Sequence, residues 1–237
     1  MIFEFANPKR FMQLSGALLP WFAGATIILL GVGLYLGLFV APPDYQQGDT
    51  VRIMFIHVPA AWVAMMAYGL MAVASLFSLV WRHPLADVAA KTAAPLGALF
   101  TALALVTGSL WGKPMWGTYW QWDGRLTSFL ILLFLYLGYI ALWNAIEDEV
   151  RAGRAAAILA LVGVVNLPII KFSVDWWTTL HQGESIFRPD GPTISAVFLW
   201  PLFLMAFGYT ALFMTLWMIR IRTEILERRA RTLMLGH

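Results

Sequence analysis

Between Trp111 and Thr127 the chain reads WGKPMWGTYWQWDGRLT, bringing Trp111, Trp116, Trp120 and Trp122 together with Gly112, Pro114 and Gly117 before closing on Asp123 and Arg125. The tryptophan spacings of 5, 4 and 2 fit neither a helical nor a strand period. The glycines and proline also argue against one uninterrupted helix, so an irregular aromatic platform is expected. Each indole offers a broad apolar face and one N–H that needs a partner. Two histidines sit in related surroundings. His57 lies in FIHVP, where Pro59 can open a helix and leave the imidazole near its start. His181 follows Asp175, Trp176 and Trp177 in VDWWTTLHQ, and Trp177 and His181 share a face if that piece is helical. A neutral imidazole is a metal ligand. The chain has no cysteine, so thiolate nucleophiles, Cys-ligated zinc and iron–sulfur clusters are excluded, and any metal chemistry falls to His, Met or carboxylate.

The elements that must position these residues are membrane helices. The 237 residues are 60% hydrophobic and 12% charged, and the mean hydropathy of +0.73 places them far from soluble averages. The formal charge of +3 is carried by basic residues that flank apolar spans and form no groove-sized patch, so no nucleic-acid partner is expected. A helix needs about 20 apolar residues to cross a bilayer. Six segments meet that need: Pro20 to Val40, Val58 to Trp81, Thr92 to Leu110, Thr127 to Ala145, Ala155 to Phe172, and Ser195 to Ile219. Connecting loops are short, so the expected fold is all-α, a single polytopic domain of six transmembrane helices over 1–237. Asn166 and Pro168 are expected to loosen the fifth span, and Gly33 and Gly37 to permit close helix contact in the first.

Lys and Arg set the orientation. One set of loops carries Lys9, Arg10, Arg82, Lys91, Arg151, Arg154, Arg220, Arg222, Arg228, Arg229 and Arg231, and the opposite set only Arg52, Lys113, Arg125, Lys171 and Arg188. The richer side is expected to be cytoplasmic, with both termini inside. The tail from 220 to 237 is basic and cytoplasmic, with Arg220 to Arg231 reading as a basic amphipathic helix on the inner surface, and Glu147, Asp148 and Glu149 read as a solvated loop. His83 and His237 fall inside. His57, His181 and the tryptophan segment, the loop between the third and fourth spans, fall outside together.

A lone interfacial histidine is ordinarily a polar residue at a helix end, and interfacial tryptophans are ordinarily belt anchors. Belt residues spread over many helix ends, however, and here they crowd one short loop beside two imidazoles. Two neutral imidazoles across a cavity can ligate haem iron from both sides. A porphyrin also wants aromatic surface along the macrocycle and cations near its propionates. On this reading His57 and His181 are axial ligands. Trp116, Trp120 and Trp122 form a shelf, Arg52, Lys113, Arg125 and Arg188 are candidate propionate partners, and Asp123 orients Arg125 or an indole N–H.

The stretch WGKPMWGTYWQWDGRLT resembles the tryptophan-rich WWD signature, WGxxxWGxxWxWDxRLT, of the haem-handling superfamily of cytochrome c biogenesis, with all its fixed letters present. Six spans in this length are similar to the haem exporter protein C family, also called cytochrome c maturation protein C, and the likeness covers essentially the whole chain. The resemblance implies a protein of the bacterial inner membrane whose outward WWD loop and two outward histidines, matching His57 and His181, hold haem b non-covalently. It further implies delivery to a periplasmic haem chaperone and association with an ABC-type permease, its ATPase and a small single-span subunit.

The expected function is therefore haem holding and delivery at the periplasmic face. The competing readings are a lyase-type enzyme that attaches haem covalently, and a haem-conducting permease. Conduction should leave ionisable residues inside the spans, and these are nearly free of charge. No GxxxxGK[ST] motif occurs, so any ATP dependence belongs to a partner.

Overall fold

The computed structural model describes residues 7–235 except 178, 182, 184 and 187. His237 and the end of the 220–237 tail lie outside the described residues. Among these residues every regular element is helical, and six segments are long and apolar enough to cross a membrane: Pro8–Val40, Asp49–Trp81, Ala86–Trp116, Gly124–Ala145, Glu149–Trp176 and Ala196–Met234.

Helix α1 (Pro8–Tyr35) starts well before Pro20, because Asn7 caps it by accepting the Lys9 N–H at 2.9 Å and Pro8 suits the first turn. It runs into a π-helical turn at Leu36–Val40. Helix α2 (Met54–Trp81) follows a 3₁₀ turn at Asp49–Ile53, which places Pro59 inside the helix instead of at its opening. Helix α3 (Ala86–Trp116) absorbs the first third of the tryptophan segment, and Gly117 closes it with φ of 76°. Only the stretch between that glycine and Asp123 is irregular, correcting the expectation for the whole segment. Helix α4 (Gly124–Ala145) is capped by Asp123, whose Oδ1 accepts the Leu126 N–H at 2.7 Å.

The fifth span is broken, as Pro168 suggested. Helices α5 (Glu149–Gly163) and α6 (Asn166–Trp176) meet at Val164 and Val165, where a proline two residues into α6 has no N–H to offer and excludes the carbonyl four residues back. At the break the Asn166 amide ties the start of α6 to α4 by donating to the Ser128 carbonyl at 2.9 Å. Helix α7 (Ala196–Leu235) is continuous.

Between apolar helices in a membrane, association comes from close packing and interhelical hydrogen bonds. Both operate here. A Cβ on Gly33 would lie 2.8 Å from the Met205 sulfur, and one on Gly37 would lie 2.7 Å from the Phe55 ring, so the two glycines serve different neighbours, α7 and α2. At the centre, Tyr68 and Tyr136 meet edge to face at 5.1 Å, and the Tyr136 hydroxyl donates to the Ala64 carbonyl at 2.8 Å. Gly97 and Gly163 leave the room those phenols occupy.

The end remote from the tryptophans is tied by charge. Glu224 accepts from Lys91 and from Arg228, both at 2.8 Å, while Arg228 also donates to Asp87 at 2.7 Å and Arg231 to Glu149 at 2.6 Å. The described part of the tail is thus the end of α7 packed on α3 and α5, not a separate surface helix. Glu147 and Asp148 are exposed in the connection before α5, as expected of a solvated loop, with Asp148 capping α5, while Glu149 opens that helix and pairs with Arg231.

Candidate functional site

At the tryptophan end of the bundle, residues of α2, α3, α4, α6 and α7, of the segment 42–47 and of the connection before α7, among them His181, Ile186 and Ile194, line a cavity of about 1070 Å³. Ligand pockets commonly span about 300–1,000 Å³, so the space suits a large flat molecule. His57, His181, Trp111, Trp116 and Arg125 all contribute to its wall.

His57 sits in the first turns of α2 and leans on α3. Its Nδ1 lies 2.9 Å from the Ala104 carbonyl oxygen and 3.2 Å from Thr107 Oγ1. A carbonyl only accepts, so Nδ1 carries the hydrogen and Nε2 keeps a free lone pair. The approach depends on Gly108, where a Cβ would stand 2.8 Å from His57 Cε1. Trp111 meets the imidazole edge to face at 5.7 Å and is fixed by donating its indole N–H to Gln47 Oε1 at 3.0 Å.

His181 lies in the connection between α6 and α7. Its Nδ1 is 2.9 Å from Asp123 Oδ2, which also accepts the Thr179 hydroxyl at 2.5 Å. Nδ1–H therefore donates to the carboxylate, and Nε2 is again the free nitrogen. Trp116 flanks this ring edge to face at 4.8 Å. Burial lowers the His181 pKa below the usual imidazole value, against the opposing pull of the Asp123 hydrogen bond. Burial raises the Asp123 carboxyl, but donation from Thr179, the Leu126 N–H and His181 outweighs it and holds the group ionised.

The other expected residues divide. Arg125 lines the cavity with its Nε buried and unpartnered among the described residues, as a cation awaiting an anion would be. Lys171 also lines it, which sequence reading had left out. Arg52 pairs with Asp49 at 3.1 Å, and Lys113 donates to the Gly117 carbonyl at 3.0 Å while lying over Tyr119. Neither Arg52, Lys113 nor Arg188 lines the cavity. Trp120 and Trp122 pack on each other at 5.4 Å away from its wall, and Trp122 is 73% exposed. Trp177 is extended beyond the end of α6, so it shares no helical face with His181, and it rests instead on Gly124. Asp123 accepts from His181 and caps α4, and among the described residues it makes no hydrogen bond to Arg125 or an indole. His83 accepts the Leu85 N–H at 3.3 Å near the start of α3, at the other end of the bundle.

Gln47, Gly108 and Thr179 were not singled out by sequence reading. None carries a local signal, since each matters only through a partner brought by folding. Two imidazoles offering Nε2 to one aromatic-walled cavity form an incomplete set for a bare ion, and no group of three or more His, Asp or Glu that could hold one gathers among the described residues.

Comparison with known proteins gives the same direction. The family model described as Heme exporter protein C matches residues 1–236. The chain is 62% identical to Heme exporter protein C of Bradyrhizobium diazoefficiens over 98% of its own length and 88% of the relative's. It is 51% identical to that of Escherichia coli strain K12 and 50% identical to that of Haemophilus influenzae, each over 96% of this chain and 92% of the relative.

Proposed function

Because the chain belongs to the haem exporter protein C family, and so is a multi-pass membrane protein of haem handling in cytochrome c maturation, we propose that it holds haem b at the periplasmic face and hands it to a periplasmic haem chaperone. His57 and His181 are the axial ligands in this proposal. The observation that carries it is that both Nδ1 atoms are already engaged, by Ala104 and Asp123, so both free Nε2 lone pairs belong to rings lining one cavity.

Bound haem supplies the iron that takes those lone pairs. The chain does the rest. Trp111 and Trp116 fix the ring planes, Arg125 offers its guanidinium, whose Nε has no partner among the described residues, to a propionate, and the apolar wall excludes water that would compete for iron. With no cysteine the chain cannot form a thioether to its cargo. Localisation to the bacterial inner membrane, and assembly with an ABC-type permease, its ATPase and a small single-span subunit, belong to the same proposal and supply the energy that this chain has no motif to harvest.

Transfer is the test. Purified haem-loaded protein is mixed with the apo-chaperone, and the haem on each is followed after separation. Haem is expected to pass to the chaperone and to be stripped from the chain by acidified organic solvent. Haem that resists extraction, or passes unchanged from a His57→Ala, His181→Ala double variant, contradicts the proposal.

A further inference from the structure

The two imidazoles are held by unlike partners. His57 Nδ1 donates toward a neutral carbonyl, Ala104 O at 2.9 Å, with a neutral hydroxyl, Thr107 Oγ1, at 3.2 Å. His181 Nδ1 donates to a carboxylate, Asp123 Oδ2 at 2.9 Å. That carboxylate is 4% exposed and fixed at both oxygens, since Oδ1 accepts the Leu126 N–H at 2.7 Å and Oδ2 accepts the Thr179 hydroxyl at 2.5 Å. Thr179 also accepts the His181 backbone N–H at 3.1 Å, tying ring, main chain and carboxylate into one unit.

A hydrogen bond to an ionised acceptor is roughly twice as strong as one between neutral groups. A carboxylate behind a ligating imidazole fixes its tautomer and raises its basicity. Resting on the reading of His57 and His181 as a haem-ligand pair, we infer that Asp123 is a positioning residue that makes the ligands unequal: His181 is the stronger, retained ligand and His57 the one that exchanges when haem leaves. The arrangement suits a carrier. A pair of equally strong ligands resists removal, whereas one anchored and one yielding ligand keep haem bound while opening an iron position to an acceptor. The same electron-rich His181 favours ferric over ferrous iron and holds the midpoint potential down.

The experiment uses the full-length protein, purified in detergent and loaded with haem, with retention through gel filtration and the midpoint potential as readouts. His57→Ala is expected to retain several-fold more haem than His181→Ala, and this difference is expected to vanish when Asp123→Asn is added. Asparagine caps a helix as well as aspartate, so α4 keeps its start. Asp123→Asn alone is expected to raise the potential, where about 59 mV corresponds to a tenfold change in ferric preference. Arg229→Ala, exposed at the far end of α7, should leave the potential in place. Equal haem loss in the two histidine variants, or an unchanged potential in haem-loaded Asp123→Asn, overturns the inference. Should Asp123→Asn fail to accumulate, the comparison of the two histidine variants decides alone. A wild-type protein lacking a low-spin haem spectrum would instead overturn the ligand assignment beneath it.

Discussion

At the scale of single residues, the site depends on an atom that is missing. Gly108 lets the His57 ring lie against α3, and the ring cannot retreat without losing its 2.9 Å contact with the Ala104 carbonyl on the same helix. Gly108→Ala is therefore expected to abolish low-spin haem binding while costing about 1–3 kcal/mol of stability, the usual range for one methyl group too many. Gly24→Ala, where a Cβ meets nothing within 4 Å, should bind haem normally and gain about 0.5–1 kcal/mol. Parallel spectra and thermal melts check both, and normal haem binding by Gly108→Ala would refute the geometric role. His57 and His181 were legible in the sequence because polar rings stand out beside apolar spans. Their supports were not. Asp123 and His181 are 58 positions apart, and no local pattern pairs them. The indoles were legible as a group, but only the helix register selects Trp111 and Trp116 for the cavity and leaves Trp120 and Trp122 elsewhere.

At the scale of elements, the departures from expectation lie at helix ends. Gly112 and Pro114 were read as breakers, yet α3 continues through them to Trp116. A proline near a C-terminus sacrifices one hydrogen bond, and Gly117 then ends the helix in the left-handed conformation it alone adopts without strain. A window of hydropathy also cannot follow a helix past the apolar zone. Helix α7 was expected to end near Ile219, but the partners of Glu224 and Arg228 lie on α3 and extend it. Arg228→Ala is expected to lower stability by about 1.5–3 kcal/mol, the range for hydrogen bonds to charged groups, because Glu224 and Asp87 lose a shared partner. Haem binding at the far end should be unaffected, and Arg229→Ala should stay within about 0.5 kcal/mol as an exposed control. Denaturation of each variant in detergent measures this, and an Arg228→Ala melt matching wild type would show that the network contributes nothing.

At the scale of the whole molecule, six apolar segments sufficed to foretell six spanning helices, since no other backbone arrangement of such segments satisfies its polar groups in lipid. What hydropathy could not foretell is the division of labour between the ends. One end is clamped by paired charges, and the other is hollowed into a cavity large enough for a macrocycle, with two imidazoles in its wall. The central claim is that these two rings ligate one haem iron. The direct test is the absorption and electron paramagnetic resonance spectrum of the purified, haem-loaded protein beside His57→Ala and His181→Ala. A six-coordinate low-spin spectrum in the wild type that changes ligation or disappears in each variant is the expected result, whereas the same low-spin spectrum in all three proteins would contradict the account.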